Sequence, residues 1–341
     1  MRKLLRKSKV FCMLPWIHTH IIANGNVYPC CVSEFDIPYD NIKDKSIKDI
    51  INNDKFNKLR NNMLNDIPTK SCSKCYELDE SNIPSLRKYA NQTFRKDIHR
   101  INEKISNKMK YMDIRFSNIC NFKCVTCGPD YSSQHGPIQQ LPKSIIDEIY
   151  EFLPYVEEVS WAGGEPLVTE EHYKILDYWI ENDMKNVRLR YTTNFSNFYF
   201  KEKSILDYWN SFVDVRVSAS LDGMGKFVEN IRVNTNWKQI EDNRKLMMKE
   251  CPNVFFEITP TISNLNIEHI TDFHRNWVER GLVDKNHIRV NMLTSPTKYR
   301  IDTIENKTKI IDKLQKHIEW LESGFGKRSF ENILNFFEKK A

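Results

Sequence analysis

Cys120-Asn121-Phe122-Lys123-Cys124-Val125-Thr126-Cys127 places three thiols on one short loop, directly after a strand-like run from Met112 to Ser117. The spacing is C-x3-C-x2-C. Three thiolates on one short loop can hold three irons of a cubane [4Fe–4S] cluster, which leaves the fourth iron open to a small molecule. The same distinction separates open catalytic metal sites from closed structural ones. The alternative is a zinc site completed by a histidine such as His135, although zinc knuckles favour paired short spacings.

Outward from this loop, strands and helices alternate. Strands are expected at 111–117, 157–162, 187–192, 213–219, 254–259 and 287–293. Helices are expected near 142–152, 170–182, 201–210, 237–249, 267–280 and 306–322. Six strand–helix units in succession predict an α/β fold, a parallel sheet with helices outside it. A doubly wound sheet and an incomplete barrel both fit, and in either the active site gathers at the C-terminal strand ends. The polar motifs fall there. Gly163-Gly164-Glu165-Pro166 follows the second strand, Thr192-Thr193-Asn194 ends the third, and Ser218-Ala219-Ser220-Leu221-Asp222-Gly223 ends the fourth. Thr261 to Asn264 follows the fifth and Asn291 ends the sixth. Tyr131, Ser133, Trp161 and Asn291 are candidate pocket residues, with core packing an equal reading for Trp161.

Upstream lies a second set of cysteines: Cys12, Cys30, Cys31, Cys72 and Cys75. Ile17–Ala23 and Val27–Val32 read as a hairpin about the Asn24-Gly25-Asn26 turn. Apolar residues at helical intervals follow over 46–64, then the Cys72-Ser-Lys-Cys75 knuckle and a polar helix over 85–108. Neighbours on a strand point to opposite sides, so only one of Cys30 and Cys31 faces the hairpin partner. His18 and His20 read as strand surface residues. Cys251 stands apart and reads as a structural thiol. The domain plan is a basic tail over 1–10, a small cysteine-rich α+β domain over 11–107, an α/β domain over 108–300 and a helical extension over 301–341.

Composition narrows the classes. Basic residues exceed acidic ones by 51 to 45 over 341 residues, an excess of +6 that does not by itself call for nucleic acid. The basic start, Arg2 to Lys9, reads as a solvated tail. It has no apolar stretch behind it, so a signal peptide is not expected. No run of about 18 apolar residues is present, so no membrane partner is expected. Eight of the nine cysteines cluster at short spacings and, without a secretion signal, read as metal ligands in a reducing cytoplasmic setting.

The C-N-F-K-C start of the loop, with G-G-E-P, T-T-N and S-L-D-G at successive strand ends, resembles the radical S-adenosylmethionine (radical SAM) enzymes. The resemblance implies a partial (β/α)6 TIM-type barrel. It implies a [4Fe–4S] cluster on Cys120, Cys124 and Cys127 that binds S-adenosylmethionine, which is split to give a 5′-deoxyadenosyl radical that takes a hydrogen atom from substrate. Gly163, Gly164 and Glu165 then meet the methionine amino group. Thr193, Asn194, Ser220 and Asp222 suit ribose hydroxyls or the methionine carboxylate, and Arg232 suits that carboxylate. Thr126 stands where most of the superfamily carries an aromatic residue, which passes the adenine contact to Phe122 or to backbone groups. F-C-x-x-P-W, G-N-V-Y-P-C-C and C-S-K-C resemble the twitch module, a shortened relative of the SPASM domain, here ahead of the barrel. That implies an auxiliary [4Fe–4S] cluster on Cys12, Cys30, Cys72 and Cys75, for electron relay or substrate binding, with a four-cysteine zinc site as the alternative. The expected partners are S-adenosylmethionine, an electron donor such as flavodoxin or ferredoxin, and a peptide or carbohydrate-type substrate. The rival readings are a non-catalytic iron–sulfur electron-transfer or regulatory protein, and a zinc-knuckle protein contacting nucleic acid.

Overall fold

The computed structural model describes residues 2–81, 83–102 and 108–338. The end of the expected 11–107 domain, residues 103–107, lies outside the described residues, as does the end of the expected extension, 339–341. Two compact units are present. One takes the chain up to Asn118 together with Gln139–Gly163 and Asp177–Arg188; the other takes Ile119–Ile138, Gly164–Leu176 and the chain from Leu189 onward.

In the first unit the expected hairpin forms from β1 (His18–Ile21) and β2 (Asn26–Tyr28), antiparallel, with β3 (Asp40–Asn41) beyond. Gly25 at the turn has φ +86°, and a Cβ there would lie 2.8 Å from Ile42; only glycine suits both constraints. The other edge of β1 is also taken. It pairs in parallel with β4 (Tyr111–Ile114), His18 opposite Tyr111 through Ile21 opposite Ile114. β4 pairs in parallel with β5 (Glu158–Trp161), so the order is β5-β4-β1-β2-β3. This corrects the reading of His18 and His20 as surface residues: they are 1% and 2% exposed. Their Nδ1 atoms sit 2.9 and 3.0 Å from the carbonyls of Tyr111 and Asp113.

Alternation along these strands sends Met112, Ile114, Val159 and Trp161 to one face, where Trp161 packs on Phe116 and Trp179 at centroid distances of 6.3 and 6.2 Å. Trp161, 2% exposed, is therefore core rather than pocket lining. The expected helix over 46–64 is two, Ile47–Ile51 and Asp54–Leu64. Asn53 breaks it by capping the second, its side chain accepting from the Phe56 N–H at 2.9 Å. Residues 85–102 give a helix, Leu86–Thr93, and a 3-10 stretch, Arg95–Asn102. The basic start is helical over Arg2–Lys7, with Arg6 and Lys7 exposed.

The second unit carries β6 (Arg188–Thr193, of which Leu189 onward belongs here), β7 (Val215–Ala219) and β8 (Phe255–Ile258), all parallel, in the order β8-β7-β6. Helices Ile205–Ser211, Trp237–Glu250 and Ile270–Glu279 pack on the apolar face. Tyr191 meets Trp209 at 5.5 Å, Phe256 meets Trp277 at 6.4 Å, and the Arg244 guanidinium lies 4.0 Å over the Phe256 ring. Truncating one such ring to alanine costs about 3–5 kcal/mol.

The sixth expected strand, 287–293, is reduced. Ile288 forms a single parallel bridge to Ile258, and only Asn291–Met292 pairs, with Thr261–Ile262. A central parallel strand needs apolar residues on both faces, whereas Arg289 and Asn291 are exposed. Beyond it, helices Thr308–Leu321 and Phe325–Glu338 close the described chain. His317 sits in the first of these, its Nε2 3.0 Å from His274 Nδ1, against Trp320 and Phe330. Among the described residues no helix is long and apolar enough to cross a membrane.

Candidate metal and cofactor sites

The cysteine loop is held from three sides. Lys123–Cys124 forms a two-residue antiparallel ribbon with Arg232–Val233, Cys124 opposite Arg232. The Val125 N–H donates to the Ile231 carbonyl at 2.8 Å. The Cys120 N–H donates to Ser133 Oγ at 3.3 Å, and Ser132 Oγ donates to the Phe122 carbonyl at 3.0 Å. His135, the candidate zinc partner, has Nε2 2.9 Å from the Cys124 carbonyl oxygen and is engaged with backbone there.

All three thiols are half-buried. Burial pushes the Cys120 thiol up to about 11; the Phe122 N–H opposes the rise, and Glu165, Cys124 and Cys127 add to it. Burial also raises Cys124 and Cys127, and Arg232 opposes both shifts. Arg232 itself is raised: burial works against its charge, but the sulfur of Cys124 and the carboxylate of Asp222 outweigh it. These mutual effects place the three sulfurs, Arg232, Asp222 and Glu165 in one electrostatic neighbourhood.

The strand ends are cross-braced. Glu165, 1% exposed, accepts from the Leu167 N–H (3.1 Å) and Thr193 Oγ1 (2.7 Å) on Oε1, and from the Asn194 N–H (2.6 Å) on Oε2. A carboxylate offers about four acceptor positions, so roughly one remains for a ligand ammonium. Burial raises the Glu165 pKa, and those three donors oppose the rise. Asn194 Nδ2 donates to Asn121 Oδ1 at 2.7 Å, Asn121 Nδ2 donates to Ser196 Oγ at 2.9 Å, and Ser196 Oγ donates to Asn194 Oδ1 at 2.6 Å. This ring fastens the cysteine loop to the end of β6. Sequence reading does not single out Asn121 or Ser196, and it offers Ser133 as a pocket residue rather than as the partner of the Cys120 N–H. The available signal was proximity: Asn121 lies between two cysteines and Ser196 two residues past Asn194.

Asp222 is 3% exposed and its oxygens are committed: Oδ1 accepts from the Thr261 N–H at 2.7 Å and Oδ2 from Arg232 Nη1 at 2.9 Å. Removing one partner of such a buried pair typically costs about 3–5 kcal/mol. Ser220 is half-buried, its N–H donating to the Thr193 carbonyl at 2.8 Å. Phe122 is 2% exposed, which leaves little ring face for an adenine. Tyr131 and Asn291 are exposed. Gly163 and Gly164 have φ +82° and +55°. A Cβ on Gly163 would lie 2.5 Å from Arg115 Cδ, so this turn admits no larger residue without moving Arg115.

In the first unit, Cys12, Cys30, Cys72 and Cys75 line one apolar pocket with Leu14 and Val32. Asn91 fixes the chain on both sides of Cys12: its Oδ1 accepts from the Met13 N–H (2.8 Å) and its Nδ2 donates to the Phe11 carbonyl (2.9 Å). Arg87 Nη1 donates to the same carbonyl at 3.0 Å while ion-paired to Asp79. Burial raises all four thiols, Cys72 to about 11. Cys31 does not line this pocket; burial raises its thiol, and the carboxylate of Asp113 adds to the rise. β2 ends at Tyr28, so both cysteines lie in a turn rather than on the expected strand, and the turn rather than strand alternation separates them.

Both thiol sets fit the expected groups. Among the described residues no three His, Cys, Asp or Glu side chains converge to hold a single ion. Buried thiols that raise one another's pKa are suited to a polycationic cluster, which favours thiolates.

Comparison with known proteins gives two family matches: residues 12–76 match an iron–sulfur cluster-binding domain of the SPASM type, and residues 114–276 match the radical SAM superfamily. A curated relative, GTP 3′,8-cyclase of Nautilia profundicola, is 27% identical over 133 residues, 36% of this chain and 38% of the cyclase. Among solved structures, native anSMEcpe with bound AdoMet and Cp18Cys peptide superposes with a TM-score of 0.45 at 16% identity, over 60% of this chain and 57% of that one. TYW1 with a lysine-pyruvate adduct bound gives a TM-score of 0.37 at 14% identity, over 64% of this chain and 72% of that one. The matches thus span well under two thirds of the cyclase and of anSMEcpe.

Proposed function

We propose that this chain, which belongs to the radical SAM superfamily and carries an iron–sulfur cluster-binding domain ahead of its radical SAM domain, is an enzyme that splits S-adenosylmethionine to start radical chemistry on a peptide or carbohydrate-type substrate. The observation that carries the reading is the fastening of the three-thiol loop to the strand ends by Asn121–Asn194 and by the Arg232 ribbon.

Cys120, Cys124 and Cys127 would hold a [4Fe–4S] cluster with one iron free of protein. When bound and reduced, such a cluster supplies the electron that converts S-adenosylmethionine to methionine and a 5′-deoxyadenosyl radical. The chain's own residues bind and orient. Gly163 and Gly164 let backbone approach the methionine, and the remaining acceptor position of Glu165 takes its ammonium. Arg232, already paired with Asp222, offers its remaining donors to the carboxylate. Asp222 acts on the ligand through Arg232. Thr193, Asn194 and Ser220 line the ribose side. Phe122 supports the loop from beneath and leaves the adenine to backbone groups.

Cys12, Cys30, Cys72 and Cys75 would hold an auxiliary [4Fe–4S] cluster, with the apolar pocket excluding water. It serves electron relay or substrate binding, and a flavodoxin or ferredoxin supplies electrons. The domain plan, 11–107 for the auxiliary domain, 108–300 for a partial (β/α)6 barrel and 301–341 for the helical extension, belongs to this proposal.

The test is anaerobic purification followed by reductive incubation with S-adenosylmethionine. About eight irons per chain, with release of 5′-deoxyadenosine and methionine, is the expected result. A colourless zinc protein would refute the reading, and so would an iron protein that never yields 5′-deoxyadenosine.

A further inference from the structure

The sheet of the second unit carries its helices on one face. Tyr191, Val217 and Phe256 turn toward the helices, and the parallel register sends Arg190, Arg216 and Phe255 to the opposite face, followed one step along by Thr192, Ser218 and Glu257. This second face is open to solvent in part: Thr192 is exposed, the Arg216 side chain is 56% exposed, and that of Arg289, which reaches the face from beyond β8, is 51% exposed, whereas Ser218 is buried and Arg190, Phe255 and Glu257 are half-buried. Parallel sheets in α/β proteins are ordinarily covered on both sides. An open polar face that ends at Thr192 and Ser220, beside the cysteine loop, is a ligand surface in search of its occupant.

Its charges are unevenly spent. Arg190 is tied to the Asp214 carboxylate by two bonds of 2.8 Å. Glu257 Oε1 accepts from Ser218 Oγ at 2.6 Å and from Arg289 Nη2 at 2.7 Å. The same Arg289 nitrogen lies 3.3 Å from Ser218 Oγ, so these two contacts fall on one nitrogen of the fork. Arg216 lies 5.3 Å over the Phe255 ring, and its contact with Asp214 is 3.8 Å long. Two carboxylates against three guanidiniums leave one surplus positive charge, carried by the most exposed of them. The ring under Arg216 and the carboxylate under Arg289 hold both forks in place, so less side-chain freedom is lost when they bind a ligand.

We infer that Arg216 and Arg289 bind an oxyanion, a phosphate or a carboxylate, on the substrate. This rests on the radical SAM reading for the position of the reacting carbon. At about 3.3 Å per residue, Arg216 lies about 13 Å down the strand from Ser220, and the Arg289 guanidinium, which reaches back to within 3.3 Å of Ser218 Oγ, about 7 Å. The substrate is therefore elongated, with its oxyanion about 7–13 Å from the carbon that loses hydrogen. Glu257 and Ser218 are positioning residues that aim Arg289.

The test uses the anaerobic holoenzyme and measures binding of pyrophosphate and of succinate by titration calorimetry. Tighter pyrophosphate binding assigns a phosphorylated substrate, and tighter succinate binding a carboxylate; either supports the inference if Arg216→Ala and Arg289→Ala each weaken it at least fivefold. Glu257→Gln should change affinity less than Arg289→Ala, and Arg289→Lys should restore charge without the fork and recover only part of the binding. Failure of both anions to bind, or binding unchanged in both arginine variants, would overturn it. Release of 5′-deoxyadenosine by the same wild-type preparation reports separately on the radical reading.

Discussion

The two thiol sets sit in different surroundings. Cys12, Cys30, Cys72 and Cys75 come from distant points in the sequence and line one apolar pocket, Cys12 and Cys75 buried and Cys30 and Cys72 half-buried. Cys120, Cys124 and Cys127 come from one eight-residue loop, remain half-buried, and sit among charges: Arg232, Asp222 and Glu165. A closed set with apolar walls suits storage or passage of an electron. An open set among charged groups suits binding of a zwitterion. The environment around the sulfur, more than the sulfur itself, divides the labour.

That contrast can be broken first at the open set. Cys124→Ala should abolish 5′-deoxyadenosine formation, a loss to background in a reductive assay; retained cleavage would erase the distinction. Cys75→Ala should act oppositely. Iron should fall from about eight to about four per chain, 5′-deoxyadenosine should still form, and conversion of the true substrate should drop at least tenfold. Unchanged product formation would remove the second set from the chemistry. Gly163→Ala sharpens the geometry of the open set. The added methyl meets the Arg115 stem and the backbone is strained at φ +82°, so affinity for S-adenosylmethionine, read by equilibrium binding, should fall about tenfold while iron content stays constant.

The smallest effect lies away from both sets. Burial holds His274 near about 3 and His317 near about 4, against an ordinary value of 6.5. As pH falls below 6.5 the unfolded chain takes up protons that the folded pair refuses. Stability should therefore decline between pH 6.5 and about 3, read as a falling Tm, and His317→Phe should flatten that slope.

Much of this was legible in sequence because the signals are local. C-x3-C-x2-C, G-G-E-P and the strand–helix alternation are each written within a few residues, and β4 to β8 appear close to their expected places. The misses are non-local. Parallel pairing of β1 with β4 has no turn to announce it, so the burial of His18 and His20 was invisible. The Asp222–Arg232 pair was legible only as two separate ligand candidates, because their mutual contact depends on the ribbon that brings residue 232 to Cys124. The run 287–293 has strand composition, but pairing partners exist for only part of it.

The joining of β1 to β4 bears on how this chain is made. Ile21 finds its parallel neighbour only after Ile114 has left the ribosome, so the early hairpin must wait with one hydrogen-bonding edge bare. A bare edge invites other chains. A shortened version starting after the first cysteine set would leave the partner edge of β4 in the same condition permanently, and clumping, rather than a tidy independent catalyst, is what such a fragment should give.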